Sequence, residues 1–180
     1  MIKIMEEIEK KLEEILDKEI FNSSNSLSDE EVSAFEDEYN IKLPKEYKFF
    51  LMNYMEGYIN DDYRFPIIEK SVITPVDGFC SIDFLYVGNF IKEAKKYIFN
   101  YGRENLPIGV SVSGDLLCMG MQEERYGKIY YWYHEDESEG EGYYFVAESF
   151  GKFILSFEKK PMELSNIDDI EIELDDAILD

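Results

Sequence analysis

Between Leu106 and Ala147 the chain carries four short apolar runs separated by turn-forming residues, and no other stretch constrains the fold as tightly. Leu106 to Val112 reads as a strand, Ser113-Gly114-Asp115 as a turn, and Leu116 to Met121 as a second strand. A polar loop ends at Gly127; Lys128 to His134 then reads as a third strand and Tyr143 to Ala147 as a fourth. Parallel neighbours need long crossovers, so consecutive strands joined this tightly predict an antiparallel meander.

The flanks have a different period. Met5, Ile8, Leu12, Ile15 and Leu16 sit at helical spacing within residues 4–20, and residues 22–26 (Asn-Ser-Ser-Asn-Ser) form a polar linker. Ser28 and Glu31 fit a capping box, with Leu27 and Val32 at the positions of a hydrophobic staple; Val32, Phe35 and Tyr39 continue the apolar stripe. Leu43-Pro44 ends that helix, and Pro44 suits the first position of the next, where its missing N–H costs nothing. Tyr47, Phe50, Leu51 and Tyr54 follow, with Gly57 as the expected terminator. Strand-like runs begin after Tyr63, at Ile67-Ile68, Val72-Ile73 and Phe84 to Val87. Asn89 is placed to cap a helix reaching Tyr101, and Ser149 a last helix bearing Phe150, Phe153, Ile154 and Phe157. Helices, then strands, then a helix predict an α+β fold: an antiparallel or mixed sheet with helices packed on one face. The expected organisation is an amphipathic helix and linker over residues 1–26, a domain over 27–158, and an acidic tail over 159–180.

Charge narrows the function. Forty Asp and Glu against 18 Lys and Arg leave a net charge of −22. Residues 1–62 hold 17 acids and 7 bases, residues 63–134 hold 8 of each, and residues 135–180 hold 15 and 3. The sheet-forming middle is therefore neutral and both ends are acidic. Such a chain repels phosphate backbones and anionic lipid, which argues against nucleic-acid and membrane-surface partners; the acidic ends read either as solvated surface or as an electrostatic face for a basic protein. Asp136, Glu137, Glu139 and Glu141 crowd one loop between two strands and are candidates for capturing a cationic partner. Trp132 joins them: Tyr130, Trp132 and His134 alternate with Tyr131 and Tyr133, most such residues pack a core, and at most one of these faces is expected to present rings to a partner.

Catalytic signatures are sparse. The single histidine, His134, has no nucleophile named beside it, and a structural or surface role is expected. No metal-ligand spacing or glycine-rich phosphate loop occurs, so no metal or cofactor is expected. Residues 135–146 superficially resemble a calcium loop, but its first position is Glu135 and the bidentate Glu expected at its twelfth is Val146. Cys80 and Cys118 lie in apolar surroundings and read as reduced, buried thiols. No run approaches the ~18 apolar residues of a membrane span, and the amino terminus lacks the apolar core of a signal peptide, so a cytoplasmic location is expected.

Three motifs together resemble the SMI1/KNR4 (SUKH) superfamily. Leu43-Pro44-x-x-Tyr47-x-x-Phe50-Leu51 followed by a Gly resembles its N-terminal motif. Leu106-Pro107-Ile108-Gly109, Gly114-Asp115 and Gly127 through Glu135 resemble its central strands, and Ala147-x-Ser149-Phe150-x-x-Phe153-Ile154 its closing helix. The resemblance spans residues 27–158, with Ser113 where a second glycine is common and Tyr133 where Asp is common. It implies a non-catalytic α+β binding domain. Bacterial members are mostly immunity proteins that neutralise secreted polymorphic or contact-dependent toxins, many of them nucleases; some eukaryotic members are regulatory interaction proteins. The expectation is thus an immunity protein whose partner is a toxin with a basic surface, the alternative being a cytoplasmic regulatory scaffold of the same fold.

Overall fold

The apolar spacing of the first helix puts Ile8, Leu12 and Ile15 on one stripe of α1 (Ile2–Ile15), and all three are fully buried. The computed structural model describes residues 2–17, 26–68, 78–86, 105–135 and 142–161. The expected helix from Asn89 to Tyr101 and the run Val72-Ile73 lie outside them.

Helix α2 (Asp29–Tyr39) begins with the capping box read from the sequence. The Glu31 amide donates to the Ser28 hydroxyl, and the Ser28 amide donates to the Glu31 carboxylate. Its end is set earlier than the Leu43-Pro44 step: Asn40 takes the left-handed conformation, φ 52°, and its N–H closes the last turn. Asn tolerates this region better than most residues because its short polar side chain bonds locally. Pro44 then stands one position outside α3 (Lys45–Asn53), as its N-cap with ψ 145° rather than as its first helical residue. Gly57 does not end α3. Tyr54 is the C-cap, Met55 turns left-handed at φ 57°, and Gly57 lies in strand β1 (Glu56–Tyr58) against Leu16. A Cβ there would sit 2.7 Å from a Leu16 methyl, so the glycine serves close packing.

Strands β2 (Tyr63–Pro66), β3 (Phe79–Cys80) and β4 (Phe84–Tyr86) come next, followed by β5 (Asn105–Val110), β6 (Leu116–Gly120), β7 (Ile129–Trp132) and β8 (Tyr143–Ala147). Helix α4 (Phe150–Leu155) and β9 (Glu158–Lys159) complete the described chain. Six strands form one sheet in the order β1-β4-β5-β6-β7-β8, with every described pairing antiparallel. Its last four strands are the meander. The register shifts between Pro107 and Gly109, where a residue without an N–H interrupts the ladder. A second sheet, β3-β2-β9, takes in Lys159, the first residue of the expected tail, which pairs with Tyr63. Residues beyond Pro161 lie outside the described chain.

The core joins the helices to the three-stranded sheet through aromatic rings, and Phe65 of β2 carries the contact on to Tyr131 of the large sheet at 6.1 Å. Phe150 of α4 meets Tyr47 and Phe50 of α3 at 5.2 and 5.4 Å between centroids, and Phe153 meets Phe65 of β2 at 5.1 Å. Each fully buried ring contributes about 1.5–3 kcal/mol of transfer free energy, so this cluster dominates the cohesion between helices and sheet. Helix α4 is held at its N-terminus from two sides. The Lys152 amide donates to the Ser149 hydroxyl, and the Gly151 amide donates to the Glu46 carboxylate of α3 at 2.8 Å. Glu36 is a buried carboxylate in this scaffold. It accepts from Lys48 at 2.7 Å, from Lys42 at 3.3 Å and from the Leu43 amide at 2.6 Å, tying α2 to α3. Burial pushes its carboxyl upward, but these hydrogen bonds outweigh that and hold it below the ordinary range.

Candidate functional site

The turn between β5 and β6 is built by its own side chains. Gly114 adopts φ +97°, which lets Ser111 and Asp115 exchange backbone and side-chain bonds across the tip. The Asp115 amide donates to the Ser111 hydroxyl at 3.0 Å, and the Ser111 amide to the Asp115 carbonyl at 2.9 Å. Ser-Val-Ser-Gly-Asp is therefore a self-locking turn, and its last side chain points inward.

Asp115 is buried, and its carboxylate collects hydrogen bonds from three directions. Tyr131 of β7 donates its hydroxyl to Oδ2 at 2.6 Å, and Ser113 donates to the same oxygen at 2.8 Å. Oδ1 accepts the His134 amide at 3.2 Å and lies 2.6 Å from His134 Nδ1. Burial raises the Asp115 carboxyl, yet the bonds from Tyr131, His134 and Ser113 outweigh it, so the group is held below its usual range and stays ionised. The same burial and the same bond push the Tyr131 hydroxyl upward, keeping it a donor. Strict alternation predicts His134 on the face of Tyr130 and Trp132. The strand stops at Trp132, however, and the turn that follows swings the imidazole to the Tyr131 side, where Asp115 takes it.

Ser, His and Asp side chains together invite comparison with a nucleophilic triad. In that arrangement the carboxylate holds one imidazole nitrogen and the serine sits on the other. Here Ser111 and Ser113 bond each other and the carboxylate, while His134 Nε2 faces Glu135 at 3.9 Å. Neither hydroxyl is bonded to the imidazole; both are turned onto the Asp115 carboxylate, so the bonds hold the turn around one negative charge. Among the described residues no three His, Cys, Asp or Glu side chains come together to hold a metal.

Beside this cluster lies a cavity of about 410 Å³ at the junction of the two sheets. Phe79 and Cys80 of β3 form one wall, Tyr131, Tyr133 and Tyr144 another, and the Ser111–Asp115 turn with Asp83 supplies its polar groups. Asp83 is itself positioned by the sheet edge: its carboxylate accepts the Val112 amide at 2.7 Å, and its own amide donates to the Val110 carbonyl. Cys80 and Cys118 are buried and in no disulfide; burial pushes the Cys118 thiol up to about 12, against the opposing pull of Arg125.

The residues proposed from sequence fall elsewhere. Trp132 ends β7, half-buried, opposite Tyr143 and next to Gly142. Asp136, Glu137, Glu139 and Glu141 lie outside the described residues, in the connection whose stem is closed by the Tyr133 amide bonded to the Gly142 carbonyl. Sequence reasoning missed Asp83 and Glu36 altogether and read Asp115 only as turn chemistry and as part of a family motif. The signal for the cluster was Ser-x-Ser-x-Asp, three oxygen-bearing side chains in alternation at a hairpin tip.

Residues 26–156 match the SMI1 / KNR4 family (SUKH-1). The chain belongs to this family. It is also similar to the SPbeta prophage-derived uncharacterized protein YokK of Bacillus subtilis (strain 168), at 27% identity over 191 aligned positions covering 96% of each chain. Ser113 and Tyr133, the two departures from the SMI1/KNR4 pattern, both line the cavity. No described helix is long and apolar enough to cross a membrane.

Proposed function

We propose that this SMI1/KNR4 protein is an immunity protein that binds and neutralises a cognate bacterial toxin, acting in the cytoplasm by protein–protein interaction and without turnover. Membership of a family whose bacterial members are mostly toxin immunity proteins carries this reading. The charge supports it: an excess of 22 acidic residues complements a basic partner, and a nuclease toxin must carry cations to hold phosphate. The Ser–Asp–His cluster supports the absence of turnover, because neither serine is bonded to the imidazole. The acidic loop at Asp136, Glu137, Glu139 and Glu141, with Trp132 at its root, is the proposed contact region for the toxin.

Expression of the adjacent gene's product with and without this chain tests the proposal. The expected result is a co-purifying complex and restored growth of cells that the partner alone arrests. Growth arrest unaffected by the chain, with no complex recovered, would overturn it. A complex without protection would point to the regulatory scaffold.

A further inference from the structure

Among the described residues that line the cavity between the two sheets, the charged side chains are both carboxylates. Asp115 and Asp83 both line it, and neither has a Lys or Arg partner among the described residues. Asp115 is satisfied by dipoles instead, from Tyr131, the serines and His134. Hydrogen bonds of this kind keep a carboxylate ionised without cancelling its charge, so the field of a buried anion remains open to the cavity. Aromatic side chains make up much of the remaining wall, and ring faces attract cations: Arg64 already stands over the Phe79 ring at 3.8 Å, and Tyr131, Tyr133 and Tyr144 are the other rings of the lining. At about 410 Å³ the space falls within the range of ~300–1,000 Å³ typical of ligand sites. An anion would meet two carboxylates there, and an apolar group would leave both charges facing it.

The rim indicates what brings the cation. Val112, at the tip of the β5–β6 turn and part of the lining, is 91% exposed. An aliphatic side chain held in water at the mouth of a charged recess is suited to a protein surface that covers it while sending one long side chain inward.

We propose that this cavity is a socket for a lysine or arginine side chain of the protein partner, with Asp83 and Asp115 as its counter-charges and the surrounding tyrosines as its walls. The inference rests on the immunity reading for the partner's nature, and adds a recognition site separate from the acidic loop. Asp83 is the adjustable member of the pair. It is half-buried, and an Asn in its place still accepts the Val112 amide, whereas replacing Asp115 dismantles the turn.

The test is a titration of the isotope-labelled full chain with capped Gly-Arg-Gly and Gly-Lys-Gly peptides, followed by amide chemical shifts. Shifts are expected at Ser81–Asp83 and Ser111–Asp115 with both peptides, with binding about three- to fivefold weaker in Asp83→Asn. The uncharged Gly-norleucine-Gly peptide should leave these amides unmoved. Silence of those amides toward the cationic peptides, or equal shifts with norleucine, overturns the socket. Thermal unfolding of Asp83→Asn identical to the parent excludes misfolding as the cause of weaker binding. The two readings fail separately. A chain that protects against its toxin yet ignores both cationic peptides loses only the socket; one that binds them but neither binds nor neutralises the adjacent gene's product loses only the immunity reading.

Discussion

Nδ1 of His134 lies 2.6 Å from Oδ1 of Asp115, nineteen residues earlier in the chain, and this bond ties the end of β7 to the β5–β6 turn. The two partners are unequally invested in it. Asp115 is almost fully buried and serves four donor residues, while His134 is 37% exposed and its backbone amide reaches the same carboxylate without the ring.

Removing the two side chains should therefore have unequal costs. Asp115→Ala strands the Tyr131 hydroxyl and unties the turn, and is expected to cost about 3 kcal/mol; His134→Ala, with solvent available in its place, about 1 kcal/mol or less. Urea unfolding of both variants measures the difference, and equal losses would show that the imidazole rather than the carboxylate organises the cluster.

Acid should weaken the fold through the same group and through Glu36. Both carboxyls are held below their ordinary range in the folded chain, by bonds that outweigh burial. The unfolded chain thus takes up protons at a pH where the native one does not. Their stabilisation is complete above about pH 4–5 and drains away as pH falls through that range toward the depressed native values. Glu36→Gln should lower stability at neutral pH and make its decline below about pH 5 shallower than in the parent. Parallel declines in unfolding midpoint would refute the assignment of Glu36.

Two glycines separate steric from conformational cost. A Cβ on Gly120 would drive into the Arg125 carbonyl oxygen and come within 2.8 Å of the Arg125 Cβ, inside a loop whose backbone bonds also use Gly120. Gly120→Ala should cost about 1–3 kcal/mol through displaced backbone. Gly114 has open space around it but φ +97°, so Gly114→Ala carries only the strain of a left-handed residue, about 1 kcal/mol. Thermal melts that rank Gly114→Ala as the more damaging would contradict the contact at Arg125.

Short apolar runs between turn residues made the meander legible, Leu116–Gly120 being buried along its whole length, and helical spacing at Ile8, Leu12 and Ile15 made the stripe of α1 legible because it reports burial on one face. The capping box at Ser28 and Glu31 was equally readable, being local chemistry at fixed spacing. What resisted reading depended on distant partners. Gly57 looks like a helix terminator until Leu16 is seen packed on it, and Glu36 looks like one more surface acid until Lys42, Lys48 and the Leu43 amide converge on it. Likewise the pairing of Asp115 with Tyr131 and His134 follows from strand register and from the strand stopping at Trp132. Local sequence fixes neither.

The acidic loop offers the remaining test. Trp132 pairs with Tyr143, and the Tyr133 amide bonds the Gly142 carbonyl, so a paired hairpin stem flanks the segment of sequence carrying Asp136, Glu137, Glu139 and Glu141. Like charges this close repel one another, and a cationic partner relieves the repulsion on binding. Changing all four to the matching amides should leave stability unchanged or slightly raised while slowing association with the toxin. The slowing should shrink as salt rises, since a Debye length of ~10 Å at 0.1 M screens exposed charges. A loop that only keeps the protein solvated predicts the opposite: no change in association at any ionic strength. Stopped-flow binding of the quadruple variant at low and high salt decides between them. A salt dependence identical to that of the parent chain would remove the loop from the contact surface and leave the cavity beside Asp115 as the remaining candidate.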